Sequence, residues 1–451
     1  MKNIKRIKHN PSLQIILGFI ILILLGSFLL SLPLSNKNGQ WLNFVDAFFT
    51  STSAVCVTGL TVVDTTTQFT LFGKTVIMFL IQIGGLGIVT LTSIVFLVLR
   101  KKVSLNSRLA LQESINKESM QDLLQFIKKT IILTFIIEGI GALLLLYSTI
   151  KFSGSFGLGL FYAVFMSVSS FCNAGFDVLG SEGQTFASLY GFASDITLLL
   201  PIIFLMVLGG IGFVVLIDGF KNFRNKQHTK VVLLMTTILL LGGTIALLIC
   251  EWNNPHTIGN MSNGDKLLNA LFQSASARTC GAATFDHNAL TPMGRLTIML
   301  MMFIGGSPNS MSGGIKTTTL FVLLIFIIRQ TNSKGDIRLK EKQISHKMIL
   351  KALKTFLYCF ISIFIAVAII SLIEPNYLGV ERILFECVSA LSTTGFSMGI
   401  TPSLTSVSKL VLCLLMFIGR VEITTIVMAL SSKNLSIITE EIEYPTTDII
   451  V

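Results

Sequence analysis

The chain alternates between long apolar segments and short segments of small, polar or charged residues. Several apolar segments approach or exceed the roughly 20 residues that an α-helix needs to cross the hydrocarbon core of a bilayer. The predicted spans are residues 12–32, 75–99, 130–150, 196–217, 231–250, 296–328, 349–373 and 407–430. A shorter apolar segment such as Trp41–Val55 is too brief to cross, so we expect it to enter the membrane and turn back.

The overall composition agrees with this pattern. Of the 451 residues, 52% are hydrophobic and 13% are charged, and the mean hydropathy is +0.78. Soluble domains carry roughly 25% charged residues. We therefore predict a polytopic membrane protein that faces lipid over most of its area.

The net charge of +11 is unevenly distributed along the chain. Lys and Arg cluster in Met1–Lys8, Arg100–Arg108, Lys221–Lys230 and Arg329–Lys354. The alternate loops are acidic and contain Asp46, Asp64, Asp177, Glu182, Asp195, Glu251, Asp265, Asp286, Glu374 and Glu381. This positive-inside bias predicts cytoplasmic termini and an even number of spans. We interpret the basic clusters as topology determinants and expect no nucleic-acid partner; a docking surface for a cytoplasmic protein is the alternative.

A motif of the form F-x-[S/C]-x-S, followed after four or five residues by glycine, occurs four times. It begins at Phe49, Phe165, Phe272 and Phe385, and its glycines are Gly59, Gly175, Gly281 and Gly395. A second glycine follows each of these within an apolar segment, at Gly84, Gly209, Gly305 and Gly419. Such self-similarity indicates an internal repeat. The predicted units are residues 1–110, 111–228, 229–345 and 346–432, with a cytoplasmic tail at 433–451.

Each unit is predicted to contain a span, a short re-entrant helix, a glycine-containing loop and a second span. Four such loops around one axis would place backbone carbonyls in a ring that replaces the hydration shell of an ion. The partially negative C-terminal helix ends would favour a cation there. Close helix packing is the better explanation of a single run of small residues, but four aligned copies reverse that ranking and favour the ring. The predicted filter residues are Val57, Thr58, Gly59, Asn173, Ala174, Gly175, Thr279, Cys280, Gly281, Thr393, Thr394 and Gly395.

These units resemble the Trk/Ktr/HKT superfamily of potassium transporters, and most closely the KtrB-type membrane subunits of bacterial Ktr systems. The resemblance rests on "TSAVCVTGLT" (52–61), "SSFCNAGFD" (169–177), "ARTCGAATFD" (277–286) and "SALSTTGFS" (389–397). Outside the filters it rests on "QIGGLGI" (82–88), "GGIGF" (209–213), "FIGGSPNSMSGGIKTTT" (303–319) and "GRVE" (419–422). Two positions depart from the family pattern: the third filter glycine is followed by Ala282 instead of an aromatic residue, and no proline follows Glu422.

The resemblance implies an all-α polytopic membrane protein with eight transmembrane helices in four M1-P-M2 repeats. Four re-entrant pore helices would surround a central pore. The family forms a homodimer on a cytosolic ring of RCK domains, of the KtrA/KtrC type, and that partner binds ATP or ADP. Gly59 favours potassium, because a serine at the first filter position accompanies sodium preference in the plant branch. A role for sodium stays open.

The stretch 305–317 interrupts an apolar span with glycines, serines, a proline and a lysine. The resemblance suggests an intramembrane gating loop at this position. The predicted gating residues are Gly305, Gly306, Ser307, Ser310, Gly313, Gly314, Lys316 and Arg420. For Arg420 we prefer a contact with the loop, and an ion pair with Glu422 is the alternative. We interpret the intramembrane Glu138 as a structural carboxyl rather than an ion site.

We predict channel-like, potassium-selective uptake across a bacterial plasma membrane. A secondary active cation symporter with inverted repeats is the alternative, because such carriers also contain broken helices. A scaffold or receptor would leave the four loops unexplained. The sequence shows no apparent catalytic arrangement of an intramembrane protease, so we do not expect an enzyme.

Overall fold

A computed structural model describes residues 11–87, 120–180, 185–222, 227–328, 337–339, 342–422 and 425–426. Several of the predictions above lie outside these residues. They are the basic clusters Met1–Lys8 and Arg100–Arg108, parts of the two later basic clusters, all of 88–99 and most of 423–430 in the predicted spans, and the tail 433–451.

The regular secondary structure of the described part of the chain is almost entirely helical. The α-helices are α1 Pro11–Ser31, α2 Phe44–Val55, α3 Thr65–Gln68, α4 Leu71–Leu86, α5 Met120–Ser153, α6 Phe156–Phe171, α7 Ile196–Ile211, α8 Phe213–Asn222, α9 Gln227–Glu251, α10 Asn263–Ala277, α11 Pro292–Phe303, α12 Thr317–Ile328, α13 His346–Ile373, α14 Val380–Ser392 and α15 Ser406–Val421. An antiparallel hairpin of β1 Ile337–Leu339 and β2 Lys342–Ile344 is an addition to the expected all-α fold. It pairs Ile337 with Ile344 and Leu339 with Lys342.

Four helices are long and apolar enough to cross a membrane. They are α1, α5, α9 and α13, over Leu13–Ser31, Gln125–Ser153, Gln227–Glu251 and His346–Ile373. These match the first predicted span of each unit. The second spans contain shorter apolar helices of 10–17 residues, among them α4, α7, α11 and α12.

The second spans are interrupted at matching positions. Helices α4, α7 and α15 end just before Gly87, Gly212 and Glu422, whose φ angles are +80°, +95° and +65°. A positive φ does not continue a right-handed helix, so the span predicted at 196–217 divides into α7 and α8 at Gly212. In the third unit, a whole loop at residues 304–316 separates α11 from α12.

The units pack in a closed cyclic order. Each short helix packs on the long helix before it, in the pairs α1–α2, α5–α6, α9–α10 and α13–α14. The first helix of each second span then contacts the short helix of the next unit, in the pairs α4–α6, α7–α10, α11–α14 and α15–α2. Because α15 of the fourth unit returns to α2 of the first, the four short helices surround one axis.

The repeated motif explains this packing. Its four phenylalanines are fully buried, at Phe49, Phe165, Phe272 and Phe385. In three units the first serine of the motif donates a hydrogen bond of 2.7 Å to the preceding long helix, from Ser51 to Ile23, from Ser167 to Glu138 and from Ser274 to Leu240. Cys387 replaces that serine in the fourth unit. The motif therefore fixes each short helix against its own span.

Charged side chains join neighbouring units near the helix N-termini. Lys409 on α15 lies 2.9 Å from Asp46 on α2, and Arg295 on α11 lies 3.4 Å from Glu381 on α14. Lys74 on α4 lies over the ring of Tyr162 on α6, 5.6 Å from its centroid. The carboxylates of Asp46 and Glu381 are in the first turn of their helices, where the helix dipole stabilises negative charge.

Candidate functional site

The C-terminal ends of the four short helices lead into segments that meet at the axis. Helices α2, α6 and α14 are followed by left-handed residues, Val57 at φ +57°, Asn173 at φ +59° and Thr393 at φ +52°. This conformation is uncommon for a residue other than glycine, and for β-branched Val57 and Thr393 it is an outlier. The left-handed residue turns the chain back after the helix, so that the next residues run past the helix end.

Four glycines form a closed ring in which each backbone approaches the next. Their φ angles are +88° at Gly59, +70° at Gly175, +79° at Gly281 and +99° at Gly395. A Cβ atom on each glycine would meet the carbonyl oxygen that precedes the next glycine, in the pairs Gly59 with Ala174, Gly175 with Cys280, Gly281 with Thr394 and Gly395 with Thr58. Only glycine combines this φ with so close an approach. The last pair closes the ring, since it joins the fourth segment to the first.

The second serine of each motif supports the ring from behind. Ser53 and Ser389 accept hydrogen bonds from the backbone N–H groups of Gly59 (3.1 Å) and Gly395 (3.0 Å). Ser169 donates to the carbonyl of Phe176 (2.6 Å), and Ser276 donates to that of Ala282 (2.7 Å). All four serines are buried. The non-helical backbone therefore keeps hydrogen-bond partners where water is excluded, as buried polar groups require.

The third segment is built differently from the other three. In this segment Gly281 lies five positions after Ser276. In the other three segments the glycine lies six positions after the serine. The N–H of Cys280 therefore donates to Ser276 four residues back, whereas that of Thr58 donates to Ser53 five residues back. Thr279 consequently lacks the positive φ of Val57, Asn173 and Thr393. The glycine still joins the ring.

A cavity of about 360 Å³ opens on the side of the ring that follows the glycines. We call it the vestibule; all four ring glycines line it together with Asp64, Asp177 and Asp286. Burial and the nearby carboxylate of Asp64 raise the pKa of Asp177 to about 7. The acidic lining favours cations, and the charge of Asp177 depends on pH near neutrality.

Residues 304–316, which we call the inner loop, lie on the opposite side of the ring and contact second-span residues of other units. The N–H groups of Ser307 and Met311 donate to the carbonyls of Gly210 (3.0 Å) and Gly209 (3.2 Å) on α7. The carbonyl of Asn309 accepts from Phe213 (3.0 Å) at the start of α8. Met311 is fully buried. The loop is therefore held by backbone hydrogen bonds to a neighbouring unit.

Arg420 binds three backbone carbonyls from two other units. Its Nη2 atom donates to Gly84 (2.6 Å) and Gly85 (2.8 Å), and its Nη1 atom donates to Met311. This guanidinium joins the fourth unit to the first unit and to the inner loop. Carbonyls without helical partners at the ends of a broken helix are suitable acceptors for an arginine.

The inner loop also carries the cation Lys316. Its Nζ atom donates to the carbonyl of Ser312 (2.7 Å) and lies 3.7 Å from the carboxylate of Glu422. Thus Glu422 pairs with Lys316, while Arg420 contacts the loop. A second cavity of about 240 Å³ lies here and is lined by Asn309, Ser310, Ser312, Lys316, Arg420 and Glu422, among others.

The predicted gating residues are thus brought together around the inner loop. Gly305, Gly306, Ser307, Ser310, Gly313, Gly314 and Lys316 are loop residues, and Arg420 reaches the loop from α15. Sequence reasoning missed the pairing of Lys316 with Glu422. It could have been suspected because Glu422 follows Gly419 by three residues, as Gly87 follows Gly84 and Gly212 follows Gly209.

A ring of backbone carbonyls beside an acidic cavity is an arrangement suited to a protein that transports cations. The sequence matches the TrkH family of cation transport proteins over residues 2–436, and the chain belongs to this family. The resemblance inferred from the four motifs is thereby confirmed. A membrane location agrees with the family and with the apolar helices.

Curated relatives match along nearly their whole length. The chain is 38% identical to the potassium/sodium uptake protein NtpJ of Enterococcus hirae, covering 96% of this chain and 95% of the relative. It is 36% identical to the Ktr system potassium uptake protein B of Bacillus subtilis, covering 99% and 98%. A crystal structure of the potassium transporter TrkH from Vibrio parahaemolyticus matches with a TM-score of 0.70 at 18% identity, covering 92% of this chain and 85% of that chain. This last match shows a shared fold.

Proposed function

We propose that the chain is the potassium-selective, ion-translocating subunit of a bacterial Ktr-type uptake system. The closed ring of four glycine segments carries this proposal, because it brings one carbonyl from each unit to the neighbouring glycine around a single axis. A ring of backbone carbonyls can replace the hydration shell of an alkali cation. Relatives whose names state potassium uptake support the choice of ion.

In this proposal, the ring is the selectivity filter and the four short helices are re-entrant pore helices. Each unit supplies an M1-P-M2 repeat with the boundaries predicted from the sequence, so that eight spans cross the membrane. The vestibule faces outward and concentrates cations beside Asp64, Asp177 and Asp286. The termini then lie in the cytoplasm of a bacterial cell.

The inner loop is the gate. It lies on the side of the ring opposite the vestibule and is fixed by Arg420, Lys316 and the carbonyls of α7. Opening the gate requires an interaction that competes with the contacts of Arg420 and Lys316. A cytosolic RCK-domain ring that binds ATP or ADP, acting on a homodimer of this chain, would supply that displacement. The words "Ktr system" in the name of the Bacillus subtilis relative support a multicomponent assembly.

Tracer flux in reconstituted vesicles tests this function. Purified full-length protein should pass potassium in preference to sodium down its gradient, without needing a second ion to be transported with it. Flux that requires stoichiometric sodium or proton movement would favour the symporter alternative. Growth rescue of a potassium-uptake-deficient bacterium provides a second test, and rescue by potassium but not by sodium is the expected result.

A further inference from the structure

The ring and the inner loop are in direct contact at one place. The backbone N–H of Gly313 in the loop donates a hydrogen bond of 3.0 Å to the hydroxyl of Thr393 in the fourth ring segment. Both residues are tightly packed, because Thr393 is fully buried and a Cβ on Gly313 would meet that same hydroxyl oxygen. A Cβ on the next residue, Gly314, would lie 3.3 Å from the Cα and Cβ atoms of Ser392. A loop movement therefore cannot leave Thr393 undisturbed.

Thr393 is also a strained residue. Its backbone is left-handed, at φ +52° and ψ +46°, although its side chain is β-branched. Such a conformation persists only where the surroundings over-determine it. On the ring side, the N–H of Thr393 donates to Ala390 (3.1 Å). On the loop side, the hydroxyl accepts from Gly313, so the loop contributes to holding the strained backbone.

The backbone of Thr393 determines where the ring carbonyl lies. The following residue, Thr394, places its carbonyl oxygen against Gly281 of the third segment. Its own N–H donates to Ser389 (2.9 Å) behind the ring. If Thr393 relaxes toward an ordinary φ, the Thr394 carbonyl must move, because the two peptides share one backbone.

The opposite ring segment has an indirect connection of the same kind. In the orientation that pairs both of its polar atoms, the Asn173 amide accepts from the N–H of Gly210 (3.3 Å). The carbonyl of Gly210 in turn accepts from Ser307 of the inner loop (3.0 Å). The first segment has Val57 at the equivalent position, which has no hydroxyl or amide. Thus the loop supports two opposite segments of the ring.

We propose that the inner loop, besides obstructing the axis, holds the ring in its selective geometry through the Gly313–Thr393 hydrogen bond. This inference rests on the proposed function, since it concerns how the same ring distinguishes ions. Thr393 is a positioning residue: it acts through the Thr394 carbonyl. When the loop withdraws, the support is lost and the ring discriminates less between potassium and sodium.

A double-mutant cycle in vesicles of the full-length protein tests this coupling. The variants are Thr393→Val, which removes the hydroxyl but keeps the shape, a deletion of residues 307–313, and the combination of the two. We expect Thr393→Val to lower the potassium-to-sodium flux ratio by about fivefold, the lower end of coupling between protein sites. The deletion, which also removes the Ser307 contact to Gly210, should lower the ratio at least as far. The combined variant should show the same ratio as the deletion alone, since the bond can be lost only once.

Two further variants separate the coupling from a loosened loop. Thr317→Val removes a hydroxyl at the start of α12, just after the loop, where Thr317 pairs with Ser307 at 3.1 Å. Because this variant leaves the Gly313–Thr393 hydrogen bond in place, it should keep the wild-type flux ratio. Thr393→Ser keeps the hydroxyl and should retain the wild-type ratio. Gly313→Ala disturbs the same contact from the loop side and serves as the second variant if Thr393→Val fails to reach the membrane. It should lower the flux ratio as Thr393→Val does.

The outcomes are distinguishable. Additive effects of Thr393→Val and the deletion would show that Thr393 acts independently of the loop, and would overturn this inference alone. A potassium-to-sodium flux ratio that stays at the wild-type value in both Thr393→Val and Gly313→Ala would also overturn this inference alone. Absence of potassium flux in the wild-type protein and in every variant would overturn the proposed function together with the inference.

Discussion

Lys316 and Glu422 form an ion pair of 3.7 Å between the inner loop and the end of α15. Glu422 occupies the position at which the first and second units have Gly87 and Gly212, and it has a positive φ of +65° as they do. An L-residue is strained in that conformation. The fourth unit therefore combines an unfavourable backbone with a side chain that fixes the loop.

Substitutions of Glu422 should separate these two effects. Glu422→Gln removes the ion pair and keeps the strain. We expect potassium flux to rise by about 1.4- to fivefold, because a partly exposed pair contributes about 0.2–1 kcal/mol. Glu422→Gly removes the pair and also relieves roughly 1–3 kcal/mol of strain. Relief of this strain stabilises the arrangement in which the loop is fixed. Potassium flux through Glu422→Gly should therefore be lower than through Glu422→Gln. Equal tracer flux in both variants would show that the backbone conformation has no effect on the gate.

Replacing Arg420 should release the inner loop. Arg420→Ala removes three hydrogen bonds from a charged donor, of which each contributes about 1.5–3 kcal/mol. We expect flux to rise at least tenfold and to become independent of the cytosolic regulator. Arg420→Lys keeps the charge but cannot donate in the same fork geometry, so its flux should be intermediate. Arg295→Ala, which removes an ion pair near the N-terminus of α11, at the opposite end of that helix from the loop, is the control. Flux unchanged from wild type in Arg420→Ala, at equal membrane levels, would contradict the gating role.

Gly59→Ser should weaken potassium selectivity. The new Cβ would lie 2.5 Å from the carbonyl oxygen of Ala174, so one ring carbonyl must move. A loss of about 1.4 kcal/mol in discrimination corresponds to tenfold in the potassium-to-sodium flux ratio. Gly39→Ser is a matched control, because Gly39 also has a positive φ, of +66°, but has no atom within 4 Å of its Cβ position. If both variants keep the wild-type ratio, the ring does not select the ion.

The vestibule predicts a pH dependence of uptake. Because the pKa of Asp177 is raised to about 7, its carboxylate is charged above that pH and loses its charge as the pH falls through it. Of the charged groups that act on it, Asp64 raises the pKa of Asp177 and Lys74 lowers it. Acidification on the vestibule side should lower uptake at subsaturating potassium, by up to about tenfold at low ionic strength.

Asp177→Asn provides the control for this pH effect. The variant has no titratable group at that position, so its uptake should be low and nearly constant between pH 6 and 8. Initial rates of tracer uptake at several vestibule-side pH values measure the difference. A pH profile in Asp177→Asn that matches the wild type would assign the titration to another group.

Much of the architecture follows from local sequence patterns. The long apolar runs of α1, α5, α9 and α13 exceed what a soluble domain would contain, so their helices were predictable. The copied F-x-[S/C]-x-S motif marked the four short helices and their glycines. The break between α11 and α12 was also visible, because glycines and Pro308 interrupt an apolar run. The short hairpin of β1 and β2 was not predicted, since three-residue strands leave little periodicity.

Contacts between distant units could not be assigned from the sequence. Arg420 was expected to touch the inner loop, but its bonds to Gly84 and Gly85 join residues more than 300 positions apart. A charged residue in an apolar run needs a partner, but the local sequence does not identify that partner. The sequence left both Glu422 and the loop as candidates, and the structure assigns Glu422 to Lys316 instead.

The sequence by itself determined the class of protein, the four units and the glycines at their centres. It did so because the length of an apolar run, a helix break and a positive φ are local requirements. Each of them restricts which residues can occur at neighbouring positions of the sequence. Only the tertiary structure decided which backbone approaches which glycine, and that Gly313 donates to Thr393. Those contacts depend on how four separately encoded units close around one axis, and no local pattern records that closure.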